Sequence, residues 1–567
     1  MSQSSAPNPP NAPSPSSEAR SPRLPRLVLW AAVILGVLAD PLLRNQPWGL
    51  GLAVWLLALA LAIALLTRTA GRLLSSEGTL WLMLAVVFGS ALSWRDADTV
   101  LAFDFLAMLA SLTLLAMSLN GGPVRHLALA RLRDLLRAAF GTGLDVATGA
   151  VPLVARDLPL DSTSTGTTGG GARRLGKALV ITVPILLLFT LMLRNADPLF
   201  KAYFSFPNLQ LDVLLSHVAI AAVFAWVVAG WLRGSLLGRV QWRGPVAEET
   251  GASPLPFTLG TLDVGLSLGA LAVLFAAFVA VQVGWLFGGQ ALVLRTTGLS
   301  YAEYARRGFF ELAGVAALVL PVLLASHALI PEGDTRTVRL YKRLSAVLVL
   351  LVVAIMVSAA ARMNLYIHYY GISADRLYAS AFMIWLAMVF AWFVLTVLRH
   401  RPRPFMLGLV ASALAVLVGL NVMNPDALVA RANLARANLA GAVPGGVDSS
   451  AAVQARVGAG AGAGAGIAGA DPRYLARLGG DAVPALVAAL TTPELASRLA
   501  SEAERCAAAS ALLKRWTGDR YNSATAHWTQ WNVARARAGR IVAAHEEALR
   551  QMACDPPPAA PVRPESR

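Results

Sequence analysis

The sequence predicts an all-α fold: a polytopic bundle of transmembrane helices with a small helical soluble module at its C-terminal end. Three observations predict it. The 567 residues are 56% hydrophobic and only 14% charged, whereas soluble domains carry about 25% charged residues. The apolar residues fall in long runs of the length that crosses a bilayer, about 20 residues. After residue 423 such runs stop, and short segments with helix-start signals replace them.

The segments follow in chain order. Residues 1–26 are rich in Ser and Pro and end on Arg20, Arg23 and Arg26; this composition predicts a disordered lead-in on the cytoplasmic side. Apolar runs then predict about eleven spans, at 27–43, 49–66, 79–94, 99–119, 177–194, 211–232, 261–287, 309–330, 344–361, 377–398 and 404–423. The first run lacks a small-residue exit site, so it reads as a retained span rather than a cleaved signal. The third is short. The seventh is long and must tilt or continue along the interface through Trp285 and Phe287.

Loop charge sets the orientation. With the N-terminus inside, the cytoplasmic segments include Arg68, Arg72, the basic loop 120–176, Arg233, Arg239, Arg243, Arg336, Arg339, Lys342, Arg343, Arg399, Arg401 and Arg403. They carry over twice the Lys and Arg of the opposite loops, as the positive-inside rule requires. Eleven crossings then leave the C-terminal module outside. The loop 120–176 opens with Leu127, Leu132, Leu135 and Leu136 among arginines, the pattern of an amphipathic basic helix on the membrane surface. The net charge of +16 is read as loop charge against an anionic membrane, since no basic stripe interleaved with aromatics points to nucleic acid.

The C-terminal part divides into 424–470, a helix plus a Gly/Ala-rich linker, then a helical module over 471–553 and a disordered tail over 554–567. Asn424-Pro425-Asp426 and Asp471-Pro472 both place an Asn or Asp before Pro, the signature of a helix start. TTPELASRLASEAERCAAASALLKRW and WTQWNVARARAGRIVAAHEEALRQ each read as one helix. An outside location allows Cys506 and Cys554 to pair.

The chemistry-bearing candidates are few. No phosphate loop, HExxH, paired CxxC or GxSxG occurs, so no cofactor and no metal site is expected and an enzyme is the weaker reading. Asp96 and Asp98 form a DxD on an outer loop, read mainly as two acids solvating a turn. Asp104 lies inside the fourth span and His217 inside the sixth, with Gln282 in the seventh; intramembrane polar groups are costly unless paired or facing a cavity. Arg362, Asn364, Tyr369, Tyr370 and Arg376 lie in RMNLYIHYYGISADR (362–376), expected to be an outer loop. Ser300-Tyr301-Ala302-Glu303 is a capping box opening a short interfacial helix with Tyr304, Arg306 and Arg307. Together with Asn195 and Asp197, Tyr301, Tyr304 and Arg307 would share the outer face with 362–376. Against the bland reading of an aromatic belt with snorkelling arginines, that convergence suits an anionic or headgroup-like ligand.

Several strings also carry a resemblance: RNADPLF (194–200), TGLSYAEYARRGFFEL (297–312), RMNLYIHYYGISADRLYASAFMIWLA (362–387), NPDALVARANLARA (424–437), DPRYLARLGGDAVPAL (471–486) and WNVARARA (531–538). In order and spacing they resemble a bacterial multi-pass membrane family catalogued as domain of unknown function 4173, over roughly residues 30–545. The resemblance implies a membrane protein with a C-terminal helical module and no assigned activity. The chain departs from the family pattern at Ala432, where an aromatic is expected, and in the Gly/Ala spacer 457–470.

The residues therefore support an integral membrane protein, non-enzymatic, of a bacterial plasma membrane. Its N-terminus would be cytoplasmic and its module extracytoplasmic. Its partners would be the lipid bilayer and other membrane or envelope proteins. The alternatives are a secondary transporter of a small solute working through Asp104, and a membrane enzyme using Asp96 and Asp98.

Overall fold

The computed structural model describes residues 23–120, 127, 132–157, 182, 186, 189, 193, 211–238, 258–297, 309–331, 333–399, 404–442, 471–499, 501–517 and 527–554. Within these, the side chains of residues 132–134, 211–212, 283–297, 365, 369–370, 438–442 and 497–499 lie outside the description. The described residues form helices and no strand.

The bundle holds α1 (Leu24–Leu43), α2 (Leu50–Thr69), α3 (Ser76–Ala91), α4 (Asp98–Leu119), α5 (Leu132–Thr148), α6 (Leu211–Leu236), α7 (Thr261–Thr297), α8 (Phe309–Leu329), α9 (Thr335–Tyr370), α10 (Ala374–Thr396) and α11 (Phe405–Met423). Nine of these, all but α3 and α5, are long and apolar enough to cross a membrane; a tenth is reached if α5 and the segment 150–157, bent by 54°, count as one span. α3 has 16 residues, which reach roughly 24 Å at 1.5 Å per residue, slightly short of the hydrocarbon core. The expected span 177–194 lies outside the described residues save for four helical positions. Ile34, Val37, Leu57, Leu61 and Leu65 are apolar and exposed on α1 and α2, as a lipid-facing surface must be.

Hydrogen bonds sort the helix ends onto two faces. Ser75, before α3, meets Ser118 at the end of α4, Oγ to Oγ at 3.0 Å. Thr261 of α7 bonds Thr337 of α9 at 2.7 Å, and the Leu259 amide donates to Leu329 at the end of α8. Those ends share one face. On the opposite face lie the end of α1, the starts of α2 and α4, the α9–α10 turn and the end of α11, because all of them touch the C-terminal module, as described below. The start of α6 joins them, since Ser216 and His217 meet Arg44 and Asp40 at the end of α1. α4 thus ends on the far face and α6 begins on the module's face.

The 36-residue helix α9 overturns the expectation that 362–376 is a loop. Asp334 caps its start, its Oδ1 accepting from the amides of Arg336 and Thr337. The helix then runs past the apolar stretch to Tyr370. Arg362 is tolerated at that depth because its guanidinium donates to Gln282 Oε1 of α7 at 2.6 Å, where Ser358 also donates at 3.2 Å. Gly371 ends the helix at φ +77°, a conformation that favours glycine. Ser373 then accepts from the Arg376 amide as the cap of α10, so the connection is only residues 371–373.

The module has its own apolar core, built from α12 (Pro425–Ala442), α13 (Pro472–Arg477), α14 (Val483–Thr491), α15 (Pro493–Leu499), α16 (Glu502–Trp516), α17 (Val533–Ala544) and α18 (Glu546–Met552). α12 contributes Val429, Ala430 and Leu434 to that core. Two segments expected as single helices are each divided. Between α15 and α16 a capping box, Ser501 with Glu504, starts a new helix; the SEAE string carries its signature. Between Trp528 and Met552 a 3-10 turn at Trp528–Gln530 precedes α17, which Asn532 caps, and His545 separates α17 from α18. Cys506 and Cys554 are joined as a disulfide with Cα atoms 5.1 Å apart.

A Cβ at position 371 would stand 2.6 Å from Asn433 Oδ1 in addition to the strained φ. Gly371→Ala is therefore expected to lower stability by about 1–2 kcal/mol, read as a drop in the melting temperature of the purified protein; an unchanged melting curve would show that the turn relaxes at no cost.

Candidate functional site at the module junction

The loop between α3 and α4, residues 92–97, is where bundle and module meet. Asp96 is 8% exposed and Asp426 4%; neither solvates a turn. The Asp96 carboxylate accepts from the Gly480 amide at 2.8 Å, and the Asp481 carboxylate accepts from the Asp96 amide at 3.1 Å. The bundle loop and the module loop 478–481 thus hold each other reciprocally. Gly479 is required by space: a Cβ there would collide with the Asp96 carbonyl.

Charges close around this clasp. Arg535 Nε of α17 lies 3.1 Å from Asp96 Oδ1, and Arg515 of α16 lies 4.0 Å from Asp96 Oδ2. Arg95 reaches Asp481 at 3.4 Å and donates through Nε to the Asn421 carbonyl at 2.8 Å. Burial still pushes the Asp96 carboxyl above its usual range, against the lowering influence of Arg535 and the Gly480 amide. Burial likewise raises Asp426 to about 6, although the Gly479 amide donates to it at 2.7 Å.

Asn424 links the two bodies along the chain. It adopts the left-handed conformation, φ +58°, as the end of α11, which Asn tolerates better than most residues. Its Oδ1 accepts from the Ala427 amide, starting α12, while its Nδ2 donates to Asp481 at 2.7 Å. One residue therefore ends a span, starts the module and joins the clasp.

Asn532 makes a second seam. Its Nδ2 donates to the carbonyls of Leu92 and Arg95 at 2.9 and 2.7 Å, and its Oδ1 accepts from the Arg535 amide. The Val533 amide donates to the Ser93 carbonyl, and the Leu50 amide at the start of α2 donates to the Trp531 carbonyl. Gln530 and Arg535 reach the carbonyls of Gln46 and Trp48.

A third seam covers the end of α9. Asn433 of α12 grips Ile372 in both directions: Oδ1 accepts from its amide at 3.1 Å and Nδ2 donates to its carbonyl at 2.6 Å. Arg436 donates to the carbonyls of Ile367 and His368, and Arg376 to that of Gly371. Helix ends leave such carbonyls unpaired, and cations suit them. Tyr474 of α13 accepts from the Ala374 amide at 2.9 Å. Arg376 also lies over the Tyr366 ring at 3.9 Å.

The sequence candidates are placed accordingly. Arg362, Asn364 and Arg376 lie at the module's face of the bundle, with Asn364 exposed and Arg376 engaged with Gly371 and Tyr366. Tyr369 and Tyr370 are in α9, their side chains outside the description. Tyr301, Tyr304 and Arg307, with Asn195 and Asp197, lie outside the described residues. Asp104 is fully buried and pairs with Asn421 of α11, and His217 pairs with Asp40 of α1. Asp96 is committed to the clasp, and Asp98 sits in the first turn of α4. Among the described residues no group of three or more His, Cys, Asp or Glu could hold a metal ion. Asp481, Asn433, Asn532 and Arg535 are not among the sequence candidates, although all four lie in strings that carry the resemblance.

Fold and junction together define an integral membrane protein: a polytopic helical bundle with a docked C-terminal helical module. The chain belongs to the family described as domain of unknown function (DUF4153), whose model matches residues 79–489. This family differs in number from the one the strings resemble, 4173. The match runs from α3 into α14, so it encloses Asp96, Asp426 and Asp481 and stops before Asn532 and Arg535. No curated protein and no solved structure matches the chain.

Two outcomes test the junction. Asp481→Ala strands the Asp96 amide, the Asn424 amide and Arg95 at once, and breaking one side of a buried charged network costs about 3–5 kcal/mol. Hydrogen exchange at Gly479 and Gly480 should accelerate by several orders of magnitude while exchange within α4 stays protected; unchanged protection would mean that the clasp contributes nothing. The pH response follows from Asp426, raised from 3.8 to about 6 by burial in the folded protein. A carboxyl raised by folding stabilises the folded state most below its unfolded value and loses that contribution as pH climbs through the folded value. The folded protein is expected to gain most from Asp426 near pH 4, to lose that gain up to about pH 6 and to level off above it; the melting temperature followed across that window, with Asp426→Asn flattening the profile, checks it.

Proposed function

We propose that this is a non-enzymatic membrane protein of a bacterial plasma membrane whose outer face recognises an anionic, headgroup-like ligand beside its docked module. The observation that carries this reading is the end of α9. There Arg362, half-buried on the neutral amide of Gln282, and exposed Asn364 and His368 share the C-terminal turns of α9, and Arg436 of the module donates to the His368 carbonyl. Arg376 is spent on closing the turn, so it positions the site rather than contacting the ligand. Tyr369, Tyr370, Tyr301, Tyr304 and Arg307 complete the proposed set, tyrosine being a residue type enriched at membrane interfaces.

Two features support an extracytoplasmic module. The face away from it carries Arg68, Arg72, Arg336, Arg339, Lys342 and Arg343, the charge bias of a cytoplasmic face. The module holds the Cys506–Cys554 pair, and disulfides persist in oxidising compartments. Secondary transport is the second reading, favoured by one observation: Asp104 is a fully buried acid inside a span.

Mass spectrometry of lipids retained by the purified protein tests the ligand reading. Wild type should carry bound anionic phospholipid and Arg362→Ala/Asn364→Ala should lose most of it, about a tenfold drop for the loss of ~1.4 kcal/mol; equal retention would sink the proposal. The sidedness is tested by a membrane-impermeant thiol reagent on intact cells. After mild reduction it should label exposed Cys554, whereas labelling only after permeabilisation would place the module inside.

A further inference from the structure

Asp104 and Asn421 leave a specific deficit in the bundle. Asp104 is 0% exposed and Asn421 5%. They meet through one bond, Asn421 Nδ2 to Asp104 Oδ1 at 2.8 Å. The other two oxygens of the pair, Asp104 Oδ2 and Asn421 Oδ1, are both buried and without a partner. Both are acceptors, and no donor among the described residues reaches either. The described charged or titratable side chains on the helices packed against α4 are Glu77 of α3, Arg137 and Asp145 of α5, His217 and Arg233 of α6. None of them pairs with Asp104.

A carboxylate in that position would sit in a span with a single neutral hydrogen bond, next to an amide oxygen that repels it. Buried acceptors left unpaired cost about 1–3 kcal/mol each, more when charged. One proton removes both deficits. Placed on Oδ2 it turns the acid into a donor, and Asn421 Oδ1 is the adjacent buried acceptor that lacks one.

We propose that Asp104 is a proton-binding site, held as the neutral acid, with its proton on Oδ2 donated to Asn421 Oδ1 so that acid and amide form a closed two-bond pair between α4 and α11. The site is tied to the module. The Asn421 carbonyl accepts from Arg95, which also reaches Asp481, and Asn424 one turn on donates to Asp481. Loss of the proton would set a carboxylate against Asn421 Oδ1 and press the amide to turn, at the end of the helix that carries the module.

Difference infrared spectroscopy of the full-length protein in nanodiscs at neutral pH tests this. Wild type minus Asp104→Asn should show the carbonyl band of a protonated carboxyl, and Asn421→Leu should shift that band by removing its acceptor. Asp104→Asn restores a two-bond amide pair and should keep the wild-type melting temperature, while Asp104→Leu should lower it. Wild-type stability should be indifferent to sodium. Absence of the band, or a sodium-dependent rise in melting temperature that Asp104→Asn abolishes, would overturn the proposal, the latter by showing that a cation fills the place given to the proton. If Asp104→Asn fails to accumulate, the Asn421→Leu shift decides alone.

Discussion

Asp96 and Asp481 each accept the other loop's backbone amide, and the rest of the molecule's organisation depends on this clasp. Burying a peptide amide or a carboxylate without a partner is expensive. The seam between bundle and module nevertheless consists of loop ends, helix termini and charged side chains, the groups least suited to burial. The structure resolves the conflict by pairing them across the seam. Gly480 donates to Asp96, Asp96 to Asp481 and Val533 to Ser93. A polar interface of this kind has directional bonds that an apolar one lacks. It therefore fixes where the module sits as well as whether it binds.

The same accounting explains the arginines. A membrane helix that ends near other protein leaves carbonyls that water cannot reach freely. Arg436 and Arg376 supply donors to the end of α9, as Arg95 does to the end of α11. Arginine suits this work because its planar fork presents several donors in fixed directions. The Tyr/Arg richness of 362–376 thus has a structural component, the closing of a helix end beneath α12. Arg362, Asn364 and His368 are the part of that richness not spent on closing the turn at 371–373.

Legibility in the sequence followed the range of the forces. Spans were readable because a bilayer demands a run of about 20 apolar residues, a local property, and α1, α2, α4, α10 and α11 lie close to their apolar runs. α9 was underestimated because its last turns are polar: the run ends at residue 361, while helical geometry persists until Gly371 offers a positive φ. The Asn424-Pro425 start was legible for the same local reason. The clasp was not. Asp96 and Gly480 are 384 positions apart, and nothing near Asp96 distinguishes a solvated turn from a buried one. The same holds for Asp104, whose partner is 317 positions away. The partners' strings were visible as marks of resemblance, yet their common purpose appears only when 92–97, 371–376, 424–436, 478–481 and 531–535 are seen on one face.

That convergence bears on how the two bodies act together. Each has a core of its own, and Ile372, Ala374 and Leu377 of the bundle pack against the module's. The polar bonds that join them are dense and concentrated at the ends of α1, α3, α9 and α11. Apolar contact tolerates sliding, whereas a row of directional bonds to backbone amides admits few arrangements. A tilt of α11 would therefore be carried to the module through Asn424 and Asp481, and through Arg95 to the start of α4, instead of dissipating in side-chain rearrangement. The Asp104–Asn421 pair sits one turn inside that linkage. An event within the membrane at α4 and an event outside it on the module consequently share a single mechanical path, made of Asn421, Arg95, Asn424 and Asp481.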